Sequence, residues 1–475
     1  MREALRHYVG GAWVEPASTD LIEVINPATE EAIGRAAAGI EADVDRAVEA
    51  AASAFGPYSQ SSQEERVALL ERVIEGYEAR FEELAKTISA EMGAPISLAR
   101  SAQVPMGALQ LRNTLDVLRR HEPREIREPS IIVKKPIGVC GLITPWNWPM
   151  NQILCKVAPA LAAGCTMVLK PSEVTPLSAA ILAEIMDEAG VAPGVFNLVN
   201  GDGRNAGEPL AKHPGVAMVS ITGSTRAGVQ VAKAAADTVK RVTQELGGKS
   251  ANIIVPDADL EEAVTHGVHK CFGNAGQSCT APSRMFVHEG RYDEALTMAS
   301  RVAESLTPGD PSDPDTVMGP VANEKQFDRV QRLIAAGIAE GATLVCGGTG
   351  RPEGLHRGYF VKPTVFGNVR NEMTIAREEI FGPVLVVMRY STVAEAIELA
   401  NDSDYGLSGC VYAGTIEHAV EVASKLRTGQ VHLNGAGADF TAPFGGYKHS
   451  GNGREWGVAG LEEFLETTAL MGAIS

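Results

Sequence analysis

The sequence lacks any apolar run of membrane-spanning length, so no transmembrane helix is expected. Residues 1–16, MREALRHYVGGAWVEP, hold no apolar stretch of the kind a secretory signal needs. Basic residues are in deficit, 42 Lys and Arg against 59 Asp and Glu, for a formal charge of −17. That balance opposes a nucleic-acid or anionic-membrane partner and fits a soluble chain. Cysteine is sparse: seven, odd in number and scattered, at Cys140, Cys155, Cys165, Cys271, Cys279, Cys346 and Cys410. No CxxC pair occurs, so the thiols read as those of a reducing compartment, and a cytoplasmic location is expected. HExxH is also absent. His266 and His269 sit three apart without an acidic or thiol partner at ligand spacing, so they read as solvated helix histidines and no metal is expected. GxSxG is missing, which argues against a serine hydrolase. There is no internal repeat and no low-complexity tract.

What is present is an α/β pattern. A chain of 475 residues suggests two or three domains and can bury a core without staples. Residues 41–120 read as helical, with Val44, Val48, Ala51 and Phe55 on one face. Ser62 and Glu65 form a capping box ahead of a stripe from Leu70 to Ile88, which Gly93 and Pro95 end. From residue 138, short apolar runs at 138–143, 165–169, 195–199, 216–222 and 250–255, with a more polar one at 241–246, alternate with helical stretches such as 176–189 and 226–239. Runs without polar alternation fit strands covered on both faces, hence a parallel, doubly wound sheet. A second α/β block follows, with strands at 284–288, 384–390, 408–412 and 429–433 and helices at 291–305, 323–340, 393–401 and 415–426. The polar, proline-bounded segment 122–136 reads as a projecting hairpin, and the last ten residues as a strand.

Several segments hold chemistry-bearing residues. In FGNAGQSCT, Cys279 follows a glycine-rich turn that leaves room for a substrate carbon to approach a thiolate. In QELGGKS, Glu245 stands beside flexible backbone, where a carboxylate can act as general base. In TPWNWP, at the end of a buried strand, the Asn147 amide can donate to a developing oxyanion. KPSE also follows a strand and offers Lys170 and Glu173 to ribose hydroxyls. ITGSTRAG runs from a strand through Gly223 and Ser224 into a helix whose N-terminus suits a pyrophosphate. GDGRNAG misses the GxGxxG spacing by one residue and carries no dinucleotide fingerprint. Each motif alone has an ordinary alternative: a buried small thiol, a solvated Glu, a proline-bounded turn.

Together, in the order TPWNWP, KPSE, ITGST, ELGGKS, FGNAGQSC, EEIFGPV and PFGGYKHSGNGRE, they resemble the NAD(P)-dependent aldehyde dehydrogenase superfamily over essentially the whole chain. The resemblance implies a Rossmann-like cofactor domain in 1–117 and 137–247, an α/β catalytic domain in 248–447, and an oligomerisation arm with C-terminal segment in 118–136 and 448–475. It implies that Cys279 is the nucleophile, Glu245 the base that activates water, Asn147 the oxyanion donor and Lys156 a proton relay. It assigns Lys170, Glu173, Gly223, Ser224, Trp146, Glu379 and Phe381 to the cofactor, and Trp148, Asn151, Gln152, Cys155 and Phe444 to the substrate pocket. Cys155 stands where some members place an aromatic wall and, with polar Asn151 and Gln152, suggests a wider or more polar channel. Glu173 suits a ribose 2′-OH and repels a 2′-phosphate, so NAD is expected over NADP. A carboxylate at Glu245 favours hydrolysis of the thioester over its transfer to CoA. The retained Cys279, Glu245 and Asn147 disfavour a catalytically silent scaffold protein. A homodimer or homotetramer, joined through the arm, is implied as well.

Overall fold

A computed structural model describes residues 2–474. The chain builds two large sheets and a small arm. The first sheet has eight strands, in the order Gly451–Asn452, Arg241–Glu245, Met218–Thr222, Val139–Ile143, Thr166–Lys170, Phe196–Leu198, His7–Val9 and Ala12–Val14. From Arg241–Glu245 through Phe196–Leu198 the pairing is parallel. Val139–Ile143, Thr166–Lys170 and Met218–Thr222 are buried at every position, as runs without polar alternation require. The more polar Arg241–Glu245 lies toward the edge, capped by the two-residue strand Gly451–Asn452.

The second sheet orders Thr343–Cys346, Thr364–Gly367, Val384–Tyr390, Arg284–His288, Ala251–Ile254, Ser408–Tyr412 and Gln430–Leu433. All its pairings are parallel except that of Thr343–Cys346. Both sheets match the doubly wound reading of the sequence. The helices Glu41–Ser59, Gln63–Ala79, Phe81–Met92 and Val104–Arg120 occupy the expected helical region. The capping box forms as expected: Ser62 Oγ accepts from Glu65 N at 3.1 Å, and Ser62 N donates to Glu65 Oε2 at 2.7 Å. Gly93, at φ +85°, ends the third of these helices in a left-handed turn.

The hairpin Arg124–Arg127 to Ser130–Pro136 projects as expected, and Leu465–Leu470 completes its antiparallel sheet. The N-terminal strands were not anticipated: Arg2–Ala4, His7–Val9, Ala12–Val14, Leu21–Asn26 and Glu31–Ala37. His7–Val9 and Ala12–Val14 are only three residues long, and the other three carry charged residues, so hydrophobic period is weak in them. Gly10 and Gly11, both at positive φ, make the tight turn between two of them. His266 also departs from the solvated reading. It is half-buried, with its ring nitrogen bonded to the Tyr412 hydroxyl, while His269 is exposed.

Because the central strands of the first sheet are parallel, their C-terminal ends open on one side. The loops Thr144–Trp148, Gly223–Ser224 and Leu246–Gly248 therefore emerge together. They face the turn that precedes Arg284–His288 in the second sheet, and that turn carries Cys279.

Candidate active site

The turn that carries Cys279 is strained and held from several directions. After the helix Leu260–Phe272, Asn274, Ala275 and Gly276 take φ of +54°, +55° and +73°. Left-handed geometry at a residue with a Cβ costs about 1–2 kcal/mol. At Gly276 a Cβ would fall on the Gly382 carbonyl, so only glycine fits. Side-chain amides offset the strain. Asn274 Nδ2 donates to Asn147 O at 2.9 Å, and Gln277 Nε2 to Asn274 O at 3.1 Å. Gln277 Oε1 accepts from Ala322 N at 2.8 Å. From the facing loop, Asn147 Nδ2 donates to Gln277 O at 3.0 Å and Trp148 Nε1 to Ser278 Oγ at 2.9 Å. Gln103, in the π-helical turn Ala99–Gln103, donates to Asn147 O at 3.0 Å. TPWNWP and FGNAGQSC are thus one laced unit.

The paired glycines of ELGGKS have a steric cause. A Cβ on Gly247 would fall on the Glu379 carboxylate, and one on Gly248 on the Cys279 carbonyl oxygen. Gly248 N donates to Glu379 Oε1 at 2.8 Å. The backbone beside Glu245 therefore touches both the Cys279 turn and Glu379. Burial pushes the Glu379 carboxyl up to about 7, against the opposing hydrogen bond from Gly248. Burial, then the carboxylates of Glu379, Glu245 and Glu455, pushes the Cys279 thiol well above its ordinary value. Cys279, half-buried on the cavity wall, therefore holds its proton more tightly than a free thiol and lies within electrostatic reach of three carboxylates.

Glu245 is buried, and among the described residues neither of its carboxylate oxygens has a hydrogen-bond partner. Desolvation, then the charge of Glu455, raises its proton affinity strongly. Its Oε1 lies 2.8 Å from where a Cβ on Gly445 would sit, so that glycine makes room for the carboxylate. Glu455 itself pairs with the buried Lys156 and accepts from Cys155 Sγ at 3.2 Å. Burial opposes the Lys156 charge, but Glu455 and the neighbouring acidic groups outweigh it and raise its proton affinity.

A cavity of about 470 Å³ opens between the two sheets. Its wall includes Trp146, Asn147, Gln152, Gly223, Ser224, Cys279, Glu379 and Phe381, so many of the residues singled out in the sequence converge there. Trp146 meets Phe381 edge-to-face, with centroids 5.5 Å apart. Phe381 holds φ +60°, and Gln326 Nε2 anchors its carbonyl at 2.6 Å. Glu245 stands just behind the wall, which its neighbours Leu246 and Gly247 help form. Other expected residues lie off it. Lys170 is buried and donates to Gly201 O at 2.8 Å, with exposed Glu173 at 3.5 Å. Asn151 accepts from Gln110 at 2.9 Å, Cys155 and Lys156 engage Glu455, and Phe444 stacks on Trp456 with centroids 4.5 Å apart.

The cavity has features a dinucleotide requires. The helix Thr225–Ala235 starts on its wall, Ser224 caps it by accepting from Ala227 N at 3.3 Å, and the buried Thr222 hydroxyl beside it lacks a partner. Among the described residues no group of His, Cys, Asp and Glu is arranged to hold a metal, and no helix is long and apolar enough to cross a membrane.

Sequence reasoning missed Gln103, Asn274, Gln277 and Glu455. Asn274 and Gln277 lie inside FGNAGQSC, and Glu455 ends GNGRE, but nothing local marks what they bond. Gln103 carries no signal at all, because its role depends on a helix irregularity.

The fold and site define an enzyme in which a thiol, a side-chain amide and buried carboxylates meet at a crevice between a doubly wound sheet and a second α/β sheet. The aldehyde dehydrogenase family model matches residues 13–470, and the chain belongs to that family. It is 57% identical to the 3-succinoylsemialdehyde-pyridine dehydrogenase of a Pseudomonas species, over 99% of each chain. Among solved structures it resembles aldehyde dehydrogenase C of Pseudomonas syringae in complex with NAD+ and octanal. That likeness has a TM-score of 0.98 at 54% identity, covering 99% of this chain and 97% of the other. It also resembles a Mycobacterium tuberculosis aldehyde dehydrogenase complexed with NAD+, with a TM-score of 0.97 at 41% identity, covering 99% and 98%.

Proposed function

We propose that this protein is an NAD-dependent aldehyde dehydrogenase that oxidises an aldehyde to the carboxylic acid through a thioester on Cys279. One observation carries the reading: Cys279 and Asn147 share a cavity wall, and a buried carboxylate with no protein hydrogen bond lies just behind it.

The helix start at Ser224 and Thr225 would hold the pyrophosphate, Lys170 and Glu173 the adenosine ribose, and Glu379 with Phe381 and Trp146 the nicotinamide end. When bound, NAD supplies the acceptor for the two electrons the aldehyde gives up. The residues of the chain do the rest. The Cys279 thiol gives up its proton to solvent in the cavity, and its sulfur attacks the carbonyl carbon while the C=O π pair moves onto oxygen, giving a tetrahedral oxyanion adduct. The Asn147 amide and the Cys279 backbone N–H face the developing oxyanion, and one such donor is typically worth about 3 kcal/mol. After oxidation the adduct is a thioester. Glu245 then turns toward the cavity, a movement that breaks no protein hydrogen bond, and takes a proton from the water that hydrolyses it. Lys156 and Glu455 carry that proton away from the cavity.

Finer readings follow from the relatives and the residues. Glu173 favours NAD over NADP. The relatives' names point to an aldehyde on a ring or an apolar chain, which suits the stack of Phe440, Trp456 and Phe444. The arm Arg124–Arg127 presents an unpaired edge with Ile126 67% exposed, which suits a homodimer or homotetramer. Seven free thiols suit the cytoplasm. An aldehyde panel, including octanal and a pyridyl semialdehyde, run with NAD and NADP, with and without CoA, and beside Cys279→Ala, tests the reading. We expect acid as product without CoA, a higher kcat/KM with NAD, and no turnover by the variant. Thioester transfer only to CoA, or undiminished turnover by Cys279→Ala, would overturn it.

A further inference from the structure

The helix Pro149–Ala163 places Cys155 and Lys156 side by side against Glu455. Lys156 Nζ pairs with Glu455 Oε1 and also donates to Ser220 Oγ at 3.1 Å. Cys155 Sγ donates to the other oxygen, Glu455 Oε2, at 3.2 Å. The Gln152 carbonyl lies 3.3 Å from the same sulfur, but a carboxylate is the stronger acceptor. The Glu455 backbone is fixed as well, donating to Phe444 O at 2.7 Å and accepting from Phe444 N at 2.8 Å. Both oxygens of Glu455 are therefore engaged, while neither oxygen of Glu245 is.

Glu245 Oε1 and Arg454 Cδ each lie 2.8 Å from where a Cβ on Gly445 would sit, so Glu245 stands against the bridge between Phe444 and Glu455, and the charged groups that act on it are Glu455, Lys156, Arg454 and Glu463. Arg454 donates its guanidinium to Gly446 O and Gly453 O, and Glu463 Oε1 accepts from Arg454 N at 2.9 Å. Glu455 is the carboxylate with the strongest influence on Glu245. Two neighbouring buried carboxyls ordinarily share a proton, the neutral one donating to the charged one. Such sharing would tie down the group that has to turn toward the thioester.

We propose that Cys155 is a positioning residue: by donating to Glu455 Oε2 it competes with a hydrogen bond from Glu245 to that oxygen, and so leaves Glu245 free to reach Cys279. This rests on the reading of Glu245 as the deacylation base. Without the thiol, Oε2 opens and the neutral form of Glu245 donates to it. The base is then held protonated, and the acid limb of deacylation moves to higher pH. Acylation, which does not need Glu245 to turn, is unaffected.

The test is deacylation rate against pH, from single-turnover measurements, for the wild type, Cys155→Ala, Cys155→Val, Cys155→Ser and Glu245→Gln. Cys155→Val fills the same space without a donor and guards against a cavity artefact. Both donor-less variants are expected to move the acid limb up by about one unit, an about tenfold slower deacylation on that limb. Their NADH burst amplitude and KM for NAD stay at wild-type values. Cys155→Ser keeps a donor and is expected to restore the wild-type limb. An unmoved limb in Cys155→Ala and Cys155→Val, or a Cys155→Ser shift as large as theirs, overturns the proposal. If Glu245→Gln hydrolyses the thioester at the wild-type rate, the base reading fails, and this proposal with it. If Glu245→Gln blocks hydrolysis while the Cys155 variants titrate normally, only the role of Cys155 fails.

Discussion

Gly248→Ala is expected to disable the nucleophile without altering it. The added Cβ would fall on the Cys279 carbonyl oxygen, with Leu407 Cβ 3.4 Å away on another side. Neither neighbour is the free end of a flexible side chain, so backbone has to move. Relieving the overlap displaces the Cys279 peptide by a good part of an ångström. That peptide carries both the sulfur and the N–H proposed to face the oxyanion. A displacement near 1 Å at a reacting group costs about a hundredfold in rate. Overpacking of this kind costs about 1–3 kcal/mol of stability, too little to unfold a chain with two large cores. The assay is stopped-flow NADH formation with saturating aldehyde, beside NAD binding measured by calorimetry. We expect the burst rate to fall about a hundredfold and NAD affinity to change little. A wild-type burst rate in folded Gly248→Ala would show that the Gly248–Cys279 contact does not position the sulfur.

Further outcomes follow from other residues. Asn147→Ala removes one proposed oxyanion donor and is expected to lower kcat about 10²–10³-fold, measured by steady-state kinetics. It also removes the hydrogen bond that Asn147 Nδ2 donates to Gln277 O, so part of the loss is one of positioning. Glu173→Gln removes the charge that repels a 2′-phosphate, and is expected to raise kcat/KM for NADP relative to NAD. Lys249 is buried without a hydrogen-bond partner, and desolvation, then Arg284, lowers it to about 7 from an ordinary 10.5. Between those values the unfolded chain binds the extra proton, so this residue makes stability rise with pH by about 1.4 kcal/mol per unit. Lys249→Met is expected to flatten that slope in denaturant titrations at fixed protein concentration.

Much of this architecture is legible in the sequence because its signals are strong and local. Val139–Ile143 and Met218–Thr222 are buried on both faces and read as unbroken apolar runs. Ser62 and Glu65 announce a helix start, and the cofactor helix opens at Ser224 as its Gly-Ser-Thr turn suggests. The N-terminal strands escaped because strands such as Glu31–Ala37 alternate weakly and carry charge. At the site, Cys279, Glu245 and Asn147 stand out through flanking glycines and prolines. Their supports do not. Gln103 reaches Asn147 from a π-helical turn, and Glu455 meets Cys155 and Lys156 across about 300 residues of chain. Cys155 and Asn151 were expected in a substrate channel, but their polar atoms are engaged with Glu455 and Gln110. Side-chain pairing of that range leaves no trace in local pattern.

The division of labour between the sulfur and the carboxylate is most directly tested with Glu245→Gln. Mixed with NAD and excess aldehyde and quenched within one turnover, the variant is expected to release about one NADH per active site and stop. Intact-mass and peptide analysis would then find the acyl group on Cys279. Continuous turnover at the wild-type rate, or an acyl adduct on any other residue, would contradict the account.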